Sequence, residues 1–455
     1  MQEKYINKRS GLKADLDVTV LQSTFFAGDL EDCNGLRKAL CRLWYNSYGG
    51  SKGLGAQLSS FCGRRSTVDC EELYEELEEK VEELEKKLSE LTHPSPAECL
   101  YFSGWCTFLV HLFPELTQLC NIFEAKCYTQ ERHRATVTVL LSFLSGYLHT
   151  LEECHHRLKG VCVSLAGTTP EARFFCLSWY STCVQFMKTY GDNHKHQSRL
   201  GSNADDVRTE LYAVFNKTFE DTGVYIDIPD INHQYPYDPS LGLMLLNGGG
   251  GGHHHHGHHL HLKGECHRHL NNCSPYDTGP YISELCTNGT ENPNGTDACN
   301  KFPHRLTRPD NGYLANLSKF FSHEELILQD INPISLILTV DTAATECAKV
   351  FGQCFFYSHY GDHHLKEQCV RFSAYCYRSS LAKLALEHLL GKHYHGEFPK
   401  GTECHRKLAR GSCKRLPTSD LTGLYYCLHL DTTCETLATL TANEDEDLEE
   451  EEDES

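Results

Sequence analysis

Between residues 71 and 91 the chain repeats apolar positions in steps of three and four: Tyr74, Leu77, Val81, Leu84, Leu88 and Leu91, set among Glu and Lys. Such spacing is the heptad seam of an amphipathic helix. The seam spans fewer than three heptads, which is short for an independent coiled coil, so it is expected to lie on neighbouring helices. His93-Pro94-Ser95-Pro96 then stops the helix. The best apolar run, Ala135 to Leu148, is mixed in character and falls below the ~20 residues of a membrane span. From Val224 to Leu246 helical periodicity disappears, and Pro229, Pro236 and Pro239 among several tyrosines predict extended chain.

The cysteines follow a helical rhythm of their own. Cys99, Cys106, Cys120, Cys127, Cys154, Cys162, Cys176 and Cys183 are separated by 7, 14, 7, 27, 8, 14 and 7 residues. The rhythm returns at Cys347, Cys354, Cys369, Cys376, Cys404, Cys413, Cys427 and Cys434, with steps of 7, 15, 7, 28, 9, 14 and 7. Seven positions are nearly two helical turns, so both cysteines of such a pair share one face. If the chain turns back between Cys106 and Cys120, two antiparallel helices face each other through nested bridges, Cys106 with Cys120 and Cys99 with Cys127. The same nesting suggests Cys162 with Cys176 and Cys154 with Cys183, although a step of eight sits less squarely on one face. In the second copy it gives Cys354 with Cys369, Cys347 with Cys376, Cys413 with Cys427 and Cys404 with Cys434. Eight cysteines allow 105 connectivities, so this choice rests on helix geometry alone.

A foursome precedes each octet: Cys33, Cys41, Cys62 and Cys70, then Cys266, Cys273, Cys286 and Cys299. Nested again, these give Cys33 with Cys70, Cys41 with Cys62, Cys266 with Cys299 and Cys273 with Cys286. The expected fold is all-α: disulfide-stapled helical hairpins in a duplicated three-hairpin unit. Glu-Cys-His opens hairpins at Cys154, Cys266 and Cys404, while Leu140-Leu141 and Leu389-Leu390 follow Cys127 and Cys376 at equal distance. Such matches are expected of a repeated fold. The domains expected along the chain are an N-terminal segment at 1–30, a first helical domain at 31–190, a linker at 191–262, a second helical domain at 263–440 and an acidic tail at 441–455.

Composition narrows the setting. All 24 cysteines fit the two repeats, and none lies closer than seven residues to the next, which disfavours zinc ribbons and C-x-x-C redox motifs. An oxidising compartment is the straightforward implication. Of the formal charge of -20, ten acidic residues lie between Glu444 and Glu454, and no basic footprint for nucleic acid is present. Residues 1–30 lack the apolar core of a signal peptide, and the C-terminus lacks a lipid-anchor signal, so three expectations stand: the chain is a fragment, its leader is supplied separately, or its thiols are reduced.

Candidate chemistry is sparse. Gly248 to Gly252 is followed by His253, His254, His255, His256, His258, His259 and His261, imidazoles able to capture zinc or copper adventitiously on a solvated tether. His155-His156 and His363-His364 are scattered candidates of the same kind. Asn216, Asn288, Asn294 and Asn316 stand in N-x-S/T sequons, as does Asn272 with Cys273 in the middle position, which suggests a glycan belt. H-E-x-x-H, G-x-S-x-G and a complete P-loop are missing; Gly49-Gly50-Ser51-Lys52-Gly53 has the wrong order for a phosphate cradle. No catalysis and no resident cofactor are expected.

The run Ala97-Glu98-Cys99 to Cys106, Cys120 to Cys127-Tyr128, Arg132, Leu140-Leu141, and Glu153-Cys154 to Cys162 with Cys176 and Cys183 resembles the cysteine-rich repeat of the major surface glycoproteins of the fungus Pneumocystis. The Glu/Lys/Leu helix before it is similar to the charged helices between that family's repeats. The resemblance implies a mannosylated cell-surface or extracellular adhesin and variable antigen, binding host matrix proteins and lectins, with self-association as a further expectation. It also implies a leader gained by recombination near a dibasic processing site, for which Lys8-Arg9 is a candidate. The chain departs from that family in its abundance of His and Gly and in its acidic end. Two other readings stand beside this one: a secreted His-rich metal-binding protein, and an intracellular twin-cysteine helical-hairpin scaffold like the coiled-coil-helix-coiled-coil-helix group.

Overall fold

The computed structural model describes residues 17–26, 32–48, 69–144, 146–165, 171–172, 179–191, 286–287, 290–291, 363–391, 396–416 and 420–453, with positions 58, 62, 175 and 347. These residues are overwhelmingly helical. In chain order the helices are α1 (Val18–Gln22), α2 (Cys33–Tyr48), α3 (Cys70–Glu90), α4 (Pro96–Leu109), α5 (Thr117–Leu144), α6 (Leu151–Leu165), α7 (Trp179–Tyr190), α8 (His363–Leu390), α9 (Gly401–Arg410), α10 (Leu421–Leu428) and α11 (Leu430–Asp453). The extended backbone paired among them is two residues long: β1 (Cys286–Thr287) pairs antiparallel with β2 (Thr290–Glu291), Cys286 opposite Glu291. At Cys286 the described backbone is therefore extended, where a helical hairpin was expected.

The seam helix shows how the local sequence sets the elements. Asp69 caps the start of α3 by accepting from the Glu71 amide at 3.0 Å, and Glu71 and Glu72 in the first turn complement the helix dipole. Leu73, Leu77, Val81, Leu84 and Leu88 are buried, against α1 and α4. Tyr74 sits at the seam's edge, its ring 6.0 Å from Phe26 and 5.3 Å from Phe113. The residues that stop α3 also start α4. Ser95 accepts from the Glu98 amide at 3.3 Å while its own amide donates to Glu98 at 2.7 Å, a reciprocal capping box with Pro96 in the first turn.

Duplication is visible in length as well as in spacing. The second cysteine pair of each middle hairpin lies on a helix of 28 residues, α5 in one repeat and α8 in the other. Helix α8 ends at Gly391, whose φ of 85° is the left-handed conformation that closes the last turn, its amide donating to the Glu387 carbonyl at 3.1 Å. The third hairpin of the second repeat departs from the simple two-rod scheme. Its first arm, α9, finishes at Arg410, and Cys413 sits beyond it in a 3-10 turn, which absorbs the nine-residue step from Cys404. Its second arm is broken at His429 into α10 and α11. Helix α11 runs through the acidic residues to Asp453, so the described backbone of the tail is helical.

Two compact units result, and they do not follow the order of the repeats. The first comprises Met1–Tyr128, Leu326–Ala343 and Ser373–Ser455; the second comprises Thr129–Glu325 and Ala344–Phe372. Within the first unit α4 packs on α10 and α2 packs on α9, bringing the first two hairpins of the first repeat against the last hairpin of the second. Residues 18–26 belong to this core: Val20, Leu21 and Phe25 are fully buried, and the Ser23 hydroxyl donates to the Phe108 carbonyl at 2.9 Å. Within the second unit α6 packs on α7.

Candidate functional site

Seven disulfides are formed among the described residues: Cys33–Cys70, Cys41–Cys62, Cys99–Cys127, Cys106–Cys120, Cys154–Cys183, Cys404–Cys434 and Cys413–Cys427. Their Cα–Cα separations run from 5.4 to 6.3 Å, the normal range for an unforced bridge. Cys347, Cys369 and Cys376 are disulfide-bonded as well. The bridges are nested as two-turn spacing allows, Cys106–Cys120 inside Cys99–Cys127 and Cys413–Cys427 inside Cys404–Cys434. Most are sealed from solvent; Cys41 and Cys62 retain partial exposure. The side chains of Cys162 and Cys286, together with Cys176, Cys266, Cys273, Cys299 and Cys354, lie outside the described residues. So do the histidine tract His253–His261 and the sequon residues Asn216, Asn272, Asn288, Asn294 and Asn316. Among the described residues there is no cluster of three or more His, Cys, Asp or Glu side chains placed to hold a metal ion.

Charged side chains lock the frame from inside. Arg132, an element of the resemblance drawn above, is buried on α5 and grips the equally buried Glu171 with two donors, Nε at 2.7 Å and an Nη at 3.3 Å. In the first unit Arg378 on α8 reaches Glu124 on α5 at 2.5 Å and also donates to Asn121. Burial pushes the Glu124 carboxyl above the usual carboxylate range, and the Arg378 charge opposes that push. The two Glu-Cys-His tripeptides on described helices act as second clasps beside their disulfides. His155, next to Cys154, stacks on Trp179 at 3.7 Å, and His405 Nε2, next to Cys404, lies 2.9 Å from Asp431.

The densest polar arrangement is at the end of α10. Every residue of this eight-residue helix is buried, so its last four carbonyls are shielded from water and need protein donors. Each has one. Trp44 Nε1 donates to the Leu428 carbonyl at 2.9 Å and the Tyr48 hydroxyl to that of Cys427 at 2.8 Å, both from α2. The Thr433 hydroxyl takes Tyr426 at 2.8 Å. The His429 amide and its Nδ1 both reach Tyr425, at 3.1 and 2.8 Å. Burial drives the phenols of Tyr48 and Tyr426 well above their ordinary pKa, so both stay protonated and Tyr48 remains a donor. It also holds the His429 imidazole, stacked 4.0 Å over Tyr425, down at about 4. No motif in the sequence marks this arrangement; the aromatic pair Tyr425-Tyr426 before Cys427 is its trace.

A frame of this kind, helices pinned by buried bridges with aromatic rings such as Tyr45 and Tyr180 standing 74% and 57% exposed, defines a disulfide-stapled helical scaffold that presents surface. Residues 93–167, which hold α4, α5 and α6, match the family model described as Major surface glycoprotein, in support of the resemblance drawn from the cysteine spacing. The match supports a surface glycoprotein, located at the cell surface or outside the cell. Comparison with curated proteins and with solved structures gives no match. No helix among the described residues is long and apolar enough to cross a membrane.

Proposed function

We propose that the chain is a fungal surface or secreted glycoprotein acting without catalysis as an adhesin and variable antigen, whose partners are host matrix proteins and lectins. The observation that carries the reading is the family match at residues 93–167, which falls on the segment stapled by Cys99–Cys127 and Cys106–Cys120. Physical support comes from the interior. The scaffold is fixed by buried bridges and buried ion pairs, so exposed positions are free to vary while the fold persists. Exposed aromatic rings on such a frame are the side chains most used in protein contacts.

The test uses the full chain, secreted from a glycosylating host. Endoglycosidase treatment is expected to increase its gel mobility, and the glycosylated form is expected to bind immobilised fibronectin, vitronectin or a lung collectin. Unchanged mobility together with no binding to any of these would sink the reading.

A further inference from the structure

We propose that the face built by α2 and α4 is a docking surface for the third hairpin of the second repeat, residues 401–442, held without a covalent bond and therefore exchangeable for the same hairpin of a second copy of the chain. This goes beyond the functional reading above and does not depend on it. The argument begins with the disulfides. Cys33–Cys70, Cys99–Cys127 and Cys106–Cys120 staple the receiving face within the first repeat. Cys404–Cys434 and Cys413–Cys427 staple the incoming hairpin within itself. No bridge among the described residues joins one to the other, although both belong to the same compact unit. Each body brings its own rigidity, and the contact between them is packing and hydrogen bonds.

That contact is specific on both sides. Gly104 on α4 leaves room for Leu421: a Cβ there would stand 2.2 Å from Leu421 Cβ. One helical turn on, Phe108 meets Tyr425 edge to face at 5.2 Å. Trp44 and Tyr48 then supply the two donors that the buried end of α10 needs for Leu428 and Cys427. Without α2 those carbonyls would be stranded, and without α10 the indole and phenol would lose their partners, so each side is incomplete alone. Parts of this lock recur in the other repeat, though Pro170 stands where Leu421 does and Pro280 where Tyr48 does. Gly352 precedes Cys354 by two residues as Gly104 precedes Cys106, and Phe174-Phe175 precede Cys176 as Tyr425-Tyr426 precede Cys427. Every copy of the chain carries both this face and this hairpin, so the hairpin of one copy fits the face of another.

The experiment takes the full chain with a specific protease sequence in place of Gly248–Gly252 and cuts it with disulfides intact. A non-reducing denaturing gel should show two fragments, while native size exclusion should show one species at the elution volume of the uncut chain. Mixing with an isotope-labelled cut copy should then yield hybrids. Residues from both sides of the cut also make up the second unit, so a double variant, Trp44→Phe with Tyr48→Phe, assigns the effect: it keeps both rings, removes both donors from α10 and should speed exchange about tenfold or more. A single non-reducing band, fragments that elute apart, or exchange unaltered by the double variant would each overturn the proposal.

Discussion

Gly104→Ala is the sharpest perturbation of the core of the first unit. The added methyl would meet Leu421 Cβ at 2.2 Å and its Cγ and Cδ1 at 3.2 Å. Carbon atoms in ordinary contact stand about 3.5–4.0 Å apart, so α4 and α10 would have to separate by roughly 1.3 Å. No rotamer change relieves the closest of these contacts, because a Cβ moves only with its backbone. For the same reason Leu421→Ala, which keeps the Cβ, would not rescue the variant. Overpacking of this kind costs typically ~1–3 kcal/mol and occasionally more. Alanine returns about 1 kcal/mol through its better helix propensity. With the clash at the upper end, the net loss is expected near ~2 kcal/mol. A control lies on α6: a Cβ at Gly160 meets nothing within 4 Å, so Gly160→Ala should stabilise by about 0.5–1 kcal/mol.

The assay follows from the tryptophans. The chain has three, of which Trp44 and Trp105 lie in the first unit and Trp179 in the second. In a Trp179→Phe background, fluorescence reports unfolding of the first unit alone, with disulfides intact. A body of 150–250 residues loses about 2–4 °C in Tm per kcal/mol, so Gly104→Ala should melt roughly 4–8 °C below its parent. If it melts with its parent or above it while circular dichroism shows Gly160→Ala stabilised, the close approach of α4 and α10 is refuted.

Three further outcomes are expected. His429, held at about 4 in the fold against 6.5 ordinarily, takes up a proton in the unfolded chain first as pH falls; stability of the first unit should be full above about pH 6.5 and decline towards pH 4 by at most roughly 3 kcal/mol, a slope that denaturant titrations of His429→Gln should flatten. Glu124→Ala strands the buried guanidinium of Arg378 and should cost about 3–5 kcal/mol, whereas the paired apolar swap Glu124→Leu with Arg378→Met should be near neutral; equal losses for the two in chemical denaturation would show that the pair's charge is irrelevant. The 14-residue separation of Cys413 and Cys427 makes their bridge worth about 3 kcal/mol by loop closure, less because it is nested; a Cys413→Ala, Cys427→Ala chain melting like the wild type would refute that account.

Much of the scaffold was legible because its signals are local. Seven-residue cysteine steps point to helices, and the helices are there at Cys99 to Cys106 and Cys120 to Cys127. The seam from Leu77 to Leu88 is legible for the same reason, since burial of one helical stripe is written in its spacing. His93-Pro94-Ser95-Pro96 reads as a stop, although Ser95 with Glu98 three residues on also encodes the next start. The break at His429 was hidden because Cys427 and Cys434 are seven apart, a spacing that one continuous helix or two helices joined at a bend satisfy alike. Residues 18–26 escaped notice because their apolar set, Val18, Val20, Leu21, Phe25 and Phe26, is too short to show a period, and its burial comes from tertiary contact.

The choice of partner between repeats lies deeper than any local pattern. Duplication supplies two third hairpins with an aromatic pair before a cysteine, Phe174-Phe175 and Tyr425-Tyr426, and two glycines placed two residues before a cysteine, Gly104 and Gly352. What discriminates is sterics at single positions. Leu421 fills the space over Gly104, whereas the residue six before Cys176, as Leu421 is six before Cys427, is Pro170, which has neither the reach of leucine nor an amide proton. The first repeat's own third hairpin is thus a poorer fit for the face at Gly104 than the second repeat's, and the difference rests on one apolar side chain that cysteine counting ignores.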